Sequence, residues 1–412
     1  MERFLKTVLI VLLACLTCAP SAVAARAKYD PHTVIVKYAD RASSPQRTLA
    51  GRVAGVLERL GPVTGAGADV VRVSGDPAAV AARLNRSSAV LYAEPNFIMR
   101  ASAIPNDPRF GDLYALNNGG GSGGVADADI DAPEGWDAAG LGAFGGANTG
   151  VKVGIVDTGI MAGHEDLAGK VVDCAGVRSF GIILGLFANL AVDPGKCVDD
   201  NGHGTHVAGT IAARANNGRG IAGVAFNSPL AVCKALDANG SGPTAAIANC
   251  ITYLSQVGAK VISMSLGGTG STTLANVVAA ASVNSLLIAA AGNTGDSTLS
   301  YPAAYPQVVS VAATDRSDAR ASFSTFNADV EVAAPGVDIL STWSDGGYRT
   351  QSGTSMSVPH VAGVAALIAA RTAGGPAAWR AKLDASVDHL GSAGRNPQFG
   401  FGRVNLAKAV AP

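Results

Sequence analysis

Gly353-Thr354-Ser355-Met356-Ser357-Val358-Pro359-His360-Val361-Ala362-Gly363 sets one reactive-looking serine between a glycine entrance and a strongly apolar run. The run Val358–Ala370 is apolar on every face, which predicts a helix buried on all sides in a large domain. Pro359 is expected within its first turn, where a missing N–H costs little. Gly374-Gly375-Pro376 should end it. Ser355 then lies at the amino end of a buried helix, where free N–H groups and the positive dipole end favour an anion. A serine attacking a carbonyl needs that setting, because the carbonyl oxygen becomes negative. It also needs a base, and the base needs an orienting group.

Upstream of this helix, from Asn106 onward, apolar strands alternate with helices. Val151–Val156 is a run rich in β-branched residues, as expected for a strand covered on both faces. Ala231–Ala235, Val261–Met264, Leu286–Ala290 and Val308–Ala312 read the same way. Helical stretches His203–Ala213, Thr244–Gln256 and Thr273–Asn284 lie between them. The pattern predicts an α/β fold, a doubly wound, mainly parallel sheet with helices on both faces. Asn118–Gly124 and Ala138–Gly150 are Gly-rich loops.

Residues 28–104 form a different unit. Strands are expected at Thr33–Tyr38, Asp69–Val73 and Val90–Met99, with helices at Thr48–Leu60 and at Pro77–Leu84, the latter begun at Asp76. This order resembles a split β-α-β unit, a small α+β ferredoxin-like sheet with two helices on one face. Nothing in it looks catalytic. Ahead of it, Arg3 and Lys6, the apolar Val8–Leu16 and Ala22-Val23-Ala24 have the form of a secretory signal over residues 1–25. The apolar stretch is too short to span a bilayer. Leu12-Leu13-Ala14-Cys15 loosely resembles a lipoprotein box, so a lipid anchor is the alternative to simple secretion.

The 412 residues carry 31 basic and 31 acidic side chains, a formal net charge of zero. No bulk charge draws the chain to nucleic acid or an acidic membrane. Cys15 and Cys18 would leave with the signal. Cys174, Cys197, Cys233 and Cys250 remain, an even number in an exported chain, which suggests two disulfides with three possible connectivities. Neighbouring pairs, Cys174–Cys197 and Cys233–Cys250, are the first choice. The first pair closes a loop that holds the apolar run Phe180–Phe187. That run is either a small local core or a flap beside a cleft.

Val153-Gly154-Ile155-Val156-Asp157-Thr158-Gly159 sets a carboxylate at the end of a buried strand, where function collects in open α/β sheets. Asn201-Gly202-His203-Gly204-Thr205-His206-Val207-Ala208-Gly209 sets His203 at a helix start. His203 and His206, three apart, could instead share a metal. Ala289-Ala290-Ala291-Gly292-Asn293 sets an amide after another buried strand. Singly, each phrase also fits a turn or a cap.

Asp, His, Asn and Ser in that order, each in a short Gly-flanked phrase, resemble the subtilisin-like serine peptidases, the subtilases, over Asn106–Pro412. The resemblance implies a secreted serine endopeptidase with Ser355 as nucleophile, His203 as base, Asp157 as its orienting group and Asn293 as oxyanion donor. It implies substrate contacts from Ser265, Leu266 and Gly267, pocket walls from Ala290 and Gly292, and a pocket floor at Ser300. An uncharged floor suggests apolar side chains before the scissile bond. It implies a structural calcium on Asp166 and Asn217, with the 215–221 loop giving carbonyls and Asp112 as a candidate amino-terminal ligand, and no catalytic metal. It also implies three parts: a signal at 1–25, a propeptide at 26–104 that inhibits the enzyme, and a subtilase domain at 105–412. Arg100–Pro105 would be the processing linker. Polypeptides are then the substrates, and the product is a monomer with no mature transmembrane span. A silent relative acting as a binding module and a zinc hydrolase built on His203 and His206 are the two rival readings.

Overall fold

The computed structural model describes residues 29–98, 104–145, 149–177 and 191–411. The expected signal at 1–25, most of the linker at 100–105 and the apolar run at 180–187 lie outside the described residues.

The N-terminal unit runs β1 (Tyr29–Tyr38), α1 (Ser44–Ala54), β2 (Val56–Val63), β3 (Ala68–Val73), α2 (Pro77–Leu84) and β4 (Val90–Phe97). Its antiparallel sheet has the order β2-β3-β1-β4. Val34, Val36, Val71, Val80, Leu84 and Ala93 share one small core beneath the two helices. Asp76 caps α2 as its sequence suggests, accepting the Ala79 N–H at 3.0 Å. The helix expected over Thr48–Leu60 is corrected. Gly55 has φ 95° and closes α1 with its N–H on Arg52 and Gly51 carbonyls, a left-handed ending glycine adopts readily. The next eight residues form β2. Its ion-paired exposed side chains, such as Arg59 on Asp69 at 2.6 Å, gave it no alternating apolar signature.

The larger unit runs α3 (Ala132–Ala138), β5 (Val153–Asp157), β6 (Val171–Val177), β7 (Val192–Pro194), α4 (His203–Ala212), β8 (Leu230–Lys234), α5 (Thr244–Gln256), β9 (Val261–Met264), α6 (Thr272–Ala281) and β10 (Leu286–Ala290). It continues with β11 (Val308–Thr314), β12 (Val330–Pro335), β13 (Ile339–Thr342), β14 (Tyr348–Gln351), α7 (Thr354–Arg371), α8 (Pro376–Asp384), β15 (Val387–Asp388), β16 (Arg403–Val404) and α9 (Leu406–Val410). Ten strands form one sheet in the order β15-β16-β12-β11-β10-β9-β5-β8-β6-β7. All neighbours pair in parallel except β6 with β7 and β15 with β16 at the two edges.

Both faces are covered, and alternate residues of one strand divide between them. Val153 and Ile155 of β5 join the core shared with α4 and α7. Val156 joins the core shared with α5 and α6. That division is why the strands read as continuous apolar runs. Helix α7 crosses the first core with its side chains buried from Met356 to Ile368. It begins at Thr354, four residues earlier than the apolar run suggests, so Pro359 falls in the second turn, not the first.

Candidate active site

Asp157 is the last residue of β5 and is fully buried. On one side of β5 lies β9, and on the other β8. The chain runs from β5 to β6 on one side and only after β8 crosses to β9 on the other, so the strand order reverses beside β5 and the strand ends there open a crevice. Ser265 follows β9, and Asn293 follows β10 by three positions, so both belong to the same end of the sheet.

His203 is the first residue of α4, and its Nδ1 lies 2.7 Å from Asp157 Oδ1. The Thr158 N–H donates to the same oxygen at 2.7 Å. Helix and strand meet closely because Gly204 has no side chain: a Cβ there would lie 2.2 Å from the Gly159 carbonyl oxygen. Burial alone would lower the His203 pKa; the charge and hydrogen bond of Asp157, with a further push from Asp199, raise it above its ordinary value instead.

Sequence reading missed Asp199. This buried carboxylate accepts the Thr158 hydroxyl at 2.8 Å and the N–H groups of Asn201, Gly202 and Thr205 at 3.0, 2.8 and 2.9 Å. It also accepts the Thr205 hydroxyl at 2.6 Å. It thus satisfies donors at the start of α4 and ties the helix to the end of β5 through Thr158. The signal was present as an aspartate just ahead of a helix start.

Ser355 is the second residue of α7. It shares the wall of a cleft of about 480 Å³ with His203, Ser265, Leu266 and Gly267. Its hydroxyl is donated to the Ser265 carbonyl at 3.1 Å rather than to the imidazole. Asn293 is fixed from one side: its Oδ1 accepts the N–H and the hydroxyl of Thr354, each at 2.9 Å. The Nδ2 donor is therefore left over.

An adjoining pocket of about 520 Å³ contains Leu266, Gly267, Ala290, Gly292 and Ser300, with Ser355 at its edge. Ser265 lines the first cleft and not this one. Thr325, which the sequence did not mark, also lines the pocket. A Cβ on Gly267 would come within 2.2 Å of Ser300 Oγ, so the missing side chain keeps the pocket open.

Asp166 is fully buried and accepts from Asn217 Nδ2, the Ile221 N–H and the Tyr348 hydroxyl, each at 2.9 Å. Asp107 reaches the same loop, accepting the Asn216 and Asn217 N–H groups at 2.6 and 3.1 Å. Asp112 instead pairs with Arg109 at 3.2 Å, so Asp107 is the amino-terminal carboxylate at this loop. Burial lifts both Asp107 and Asp166 above the ordinary carboxylate range, and the Asp166 charge lifts Asp107 further. A cation between them would relieve both effects. The two carboxylates are the kind of oxygen ligand calcium takes, but Asn217 faces Asp166 with its Nδ2 while its Oδ1 accepts the Arg219 N–H at 2.8 Å, so its amide would have to turn to present oxygen to an ion. Among the described residues no three His, Cys, Asp or Glu side chains gather as a metal-binding group, so an ion here would take its remaining oxygens from Asn217 and loop carbonyls.

His206 does not turn toward the cleft. It is fully buried, and its Nε2 faces the carbonyls of Ile339 and Arg349 at 3.0 and 3.1 Å. That nitrogen is taken up by the carbonyls, the His203 Nδ1 is taken up by Asp157, and among the described residues no three His, Cys, Asp or Glu side chains gather as a metal-binding group. The cysteines are joined as Cys174–Cys197 and Cys233–Cys250, each with Cα atoms 5.4 Å apart.

A model of the subtilase family matches residues 148–402, and a model of the fervidolysin N-terminal prodomain matches residues 18–96. The thermophilic serine proteinase of Bacillus sp. (strain AK1) is 39% identical over 339 residues, covering 82% of this chain and 76% of its own. Thermitase of Thermoactinomyces vulgaris is 42% identical over 311 residues, covering 74% of this chain and 99% of its own. Among solved structures, a protease from Pseudoalteromonas arctica PAMC 21717 is 31% identical with a TM-score of 0.64, covering 74% of this chain and 98% of that one.

Proposed function

The chain belongs to the subtilase family, the subtilisin-like serine peptidases, and from that premise we propose that it is a secreted endopeptidase made as a self-processed zymogen. Asp157, His203 and Ser355 form the proposed catalytic triad. The hydrogen bond of 2.7 Å from His203 Nδ1 to buried Asp157, in a cleft whose wall also carries Ser355, is the observation that carries this reading.

In the proposed reaction Ser355 Oγ attacks the carbonyl carbon of a peptide bond. His203 Nε2 takes the hydroxyl proton and later passes it to the leaving amine. Asp157 holds the imidazole with its proton on Nδ1 and stabilises the cation that forms. The carbonyl oxygen becomes an oxyanion. Asn293 Nδ2, free because Thr354 occupies the other end of the amide, and the Ser355 N–H at the start of α7 stabilise it. Water then repeats the attack on the acyl-enzyme, with His203 as base again.

The stretch Ser265–Gly267 is the proposed edge along which an extended peptide lies as an added strand. The pocket beside it takes the side chain before the scissile bond. With Ser300 as its floor and no acidic lining residue, it favours apolar side chains over Arg or Lys.

The proposed parts are a signal at 1–25, a propeptide at 26–104 that inhibits the folded enzyme, and the peptidase at 105–412. The match of 18–96 to a prodomain model supports the middle part. No helix among the described residues is long and apolar enough to cross a membrane. A structural calcium is proposed at the 215–221 loop on Asp107, Asp166 and Asn217, with no part in the chemistry. The purified chain should cleave a denatured protein substrate, and Ser355→Ala should abolish turnover while leaving the circular dichroism spectrum unchanged. Full peptidase activity in that variant would refute the reading.

A further inference from the structure

Proline at position 359 removes a hydrogen bond from the helix that begins beside the proposed nucleophile. In an α-helix each N–H bonds the carbonyl four residues back, and proline has none to give. In α7 the carbonyl left without its helical donor is that of Ser355 itself. It does not go unsatisfied. The Ser265 hydroxyl donates to the Ser355 carbonyl at 2.8 Å. In the other direction, the Ser355 hydroxyl donates to the Ser265 carbonyl at 3.1 Å. Ser265 is buried, at 3% exposure, so water does not readily replace its hydroxyl.

We propose that the Ser265 side chain is a positioning residue: its hydroxyl replaces the amide N–H that Pro359 lacks and so locks the first turn of α7, with Ser355, against the end of β9. This rests on the reading of Ser355 as nucleophile. It separates two roles within one residue. The Ser265 backbone borders the cleft, while its hydroxyl acts on the enzyme rather than on the substrate. A helix start loosened at Pro359 would otherwise let the attacking oxygen drift from the imidazole, and small displacements there are costly in rate.

The test is a double-mutant cycle on the processed enzyme, with active sites titrated by a phosphonate and kcat and KM measured on a soluble peptide. Ser265→Ala should lower kcat about tenfold with KM within about twofold, the scale of one buried carbonyl left unpaired. Pro359→Ala restores an N–H four residues beyond Ser355 and alone should leave kcat within about threefold. The double variant should regain most of the loss, because the new N–H takes the place of the missing hydroxyl. Ser265→Thr, which keeps a hydroxyl, should retain more kcat than Ser265→Ala and serves if Pro359→Ala does not fold. A Ser265→Ala enzyme with unchanged kcat, or one that neither Pro359→Ala nor the threonine relieves, would overturn the proposal. Failure of the parent reading looks different: Ser355→Ala would then keep its activity.

Discussion

At the residue scale, charge decides how the proposed base, His203, would work. A base must be neutral to accept a proton, so activity is lost as pH falls through its pKa. Asp157 and Asp199 both favour the protonated imidazole and hold that pKa above its ordinary value. His206, three residues further along α4, also interacts with His203 through charge. Removing the Asp199 charge weakens the protonated form. Asp199→Asn should therefore move the acid limb of the kcat/KM profile to lower pH, by up to about one unit. A limb that stays in place or moves up would show that Asp199 serves only as a helix anchor. The residues at this scale were unevenly legible. Asp157, His203, Asn293 and Ser355 each stand in a marked phrase. Asp199 offered only its place ahead of a helix start, and Asp107 offered nothing, because it collects N–H groups from a loop more than a hundred positions away.

Elements carry the next set of constraints. The Cys233–Cys250 bond ties the end of β8 to the middle of α5 across 17 residues of sequence. Closing a loop of that size removes about 3 kcal/mol of denatured-chain freedom in the chain-entropy picture. The double variant Cys233→Ala, Cys250→Ala, made with Ser355→Ala to prevent self-digestion, should lose about that much by urea unfolding at pH 7. A change under about 0.5 kcal/mol would mean that packing of α5 alone fixes the pair. Strands buried on both faces were legible because their apolar runs are unbroken. Strand β2 was not, since its stability comes from pairing with β3 and from surface ion pairs. The true start of α7 was also hidden. Three of its first four residues are polar, and contacts made only on folding hold them: Thr354 on Asn293, Ser355 on Ser265 and Ser357 on the Ala334 carbonyl.

On the scale of the whole molecule, the two units do not share a core. The small N-terminal sheet has its own core, and the ten-stranded sheet has one on each face. The larger sheet brings the ends of β5, β9 and β10 to one rim, and with them Asp157, Ser265 and Asn293, which are far apart in the chain. A calcium ion at Asp107 and Asp166 would pin the amino-terminal segment to the 215–221 loop, far along the chain. Excess chelator should then lower the unfolding temperature of the Ser355→Ala chain by several degrees relative to excess calcium, and Asp166→Asn should abolish most of that difference. Equal unfolding temperatures with and without calcium would remove the ion from the account. Sequence alone supplied the parallel sheet and the order of its key phrases. It did not supply the amino-terminal carboxylate, because Asp107 and the loop meet only after folding.

The most direct test follows the serine itself. The processed enzyme is incubated with a serine-directed phosphonate, digested, and mapped by mass spectrometry. One stoichiometric adduct on Ser355, lost when His203 is replaced by Ala, is the predicted result. An adduct on another serine, or labelling of Ser355 at an unchanged rate without His203, would contradict the account.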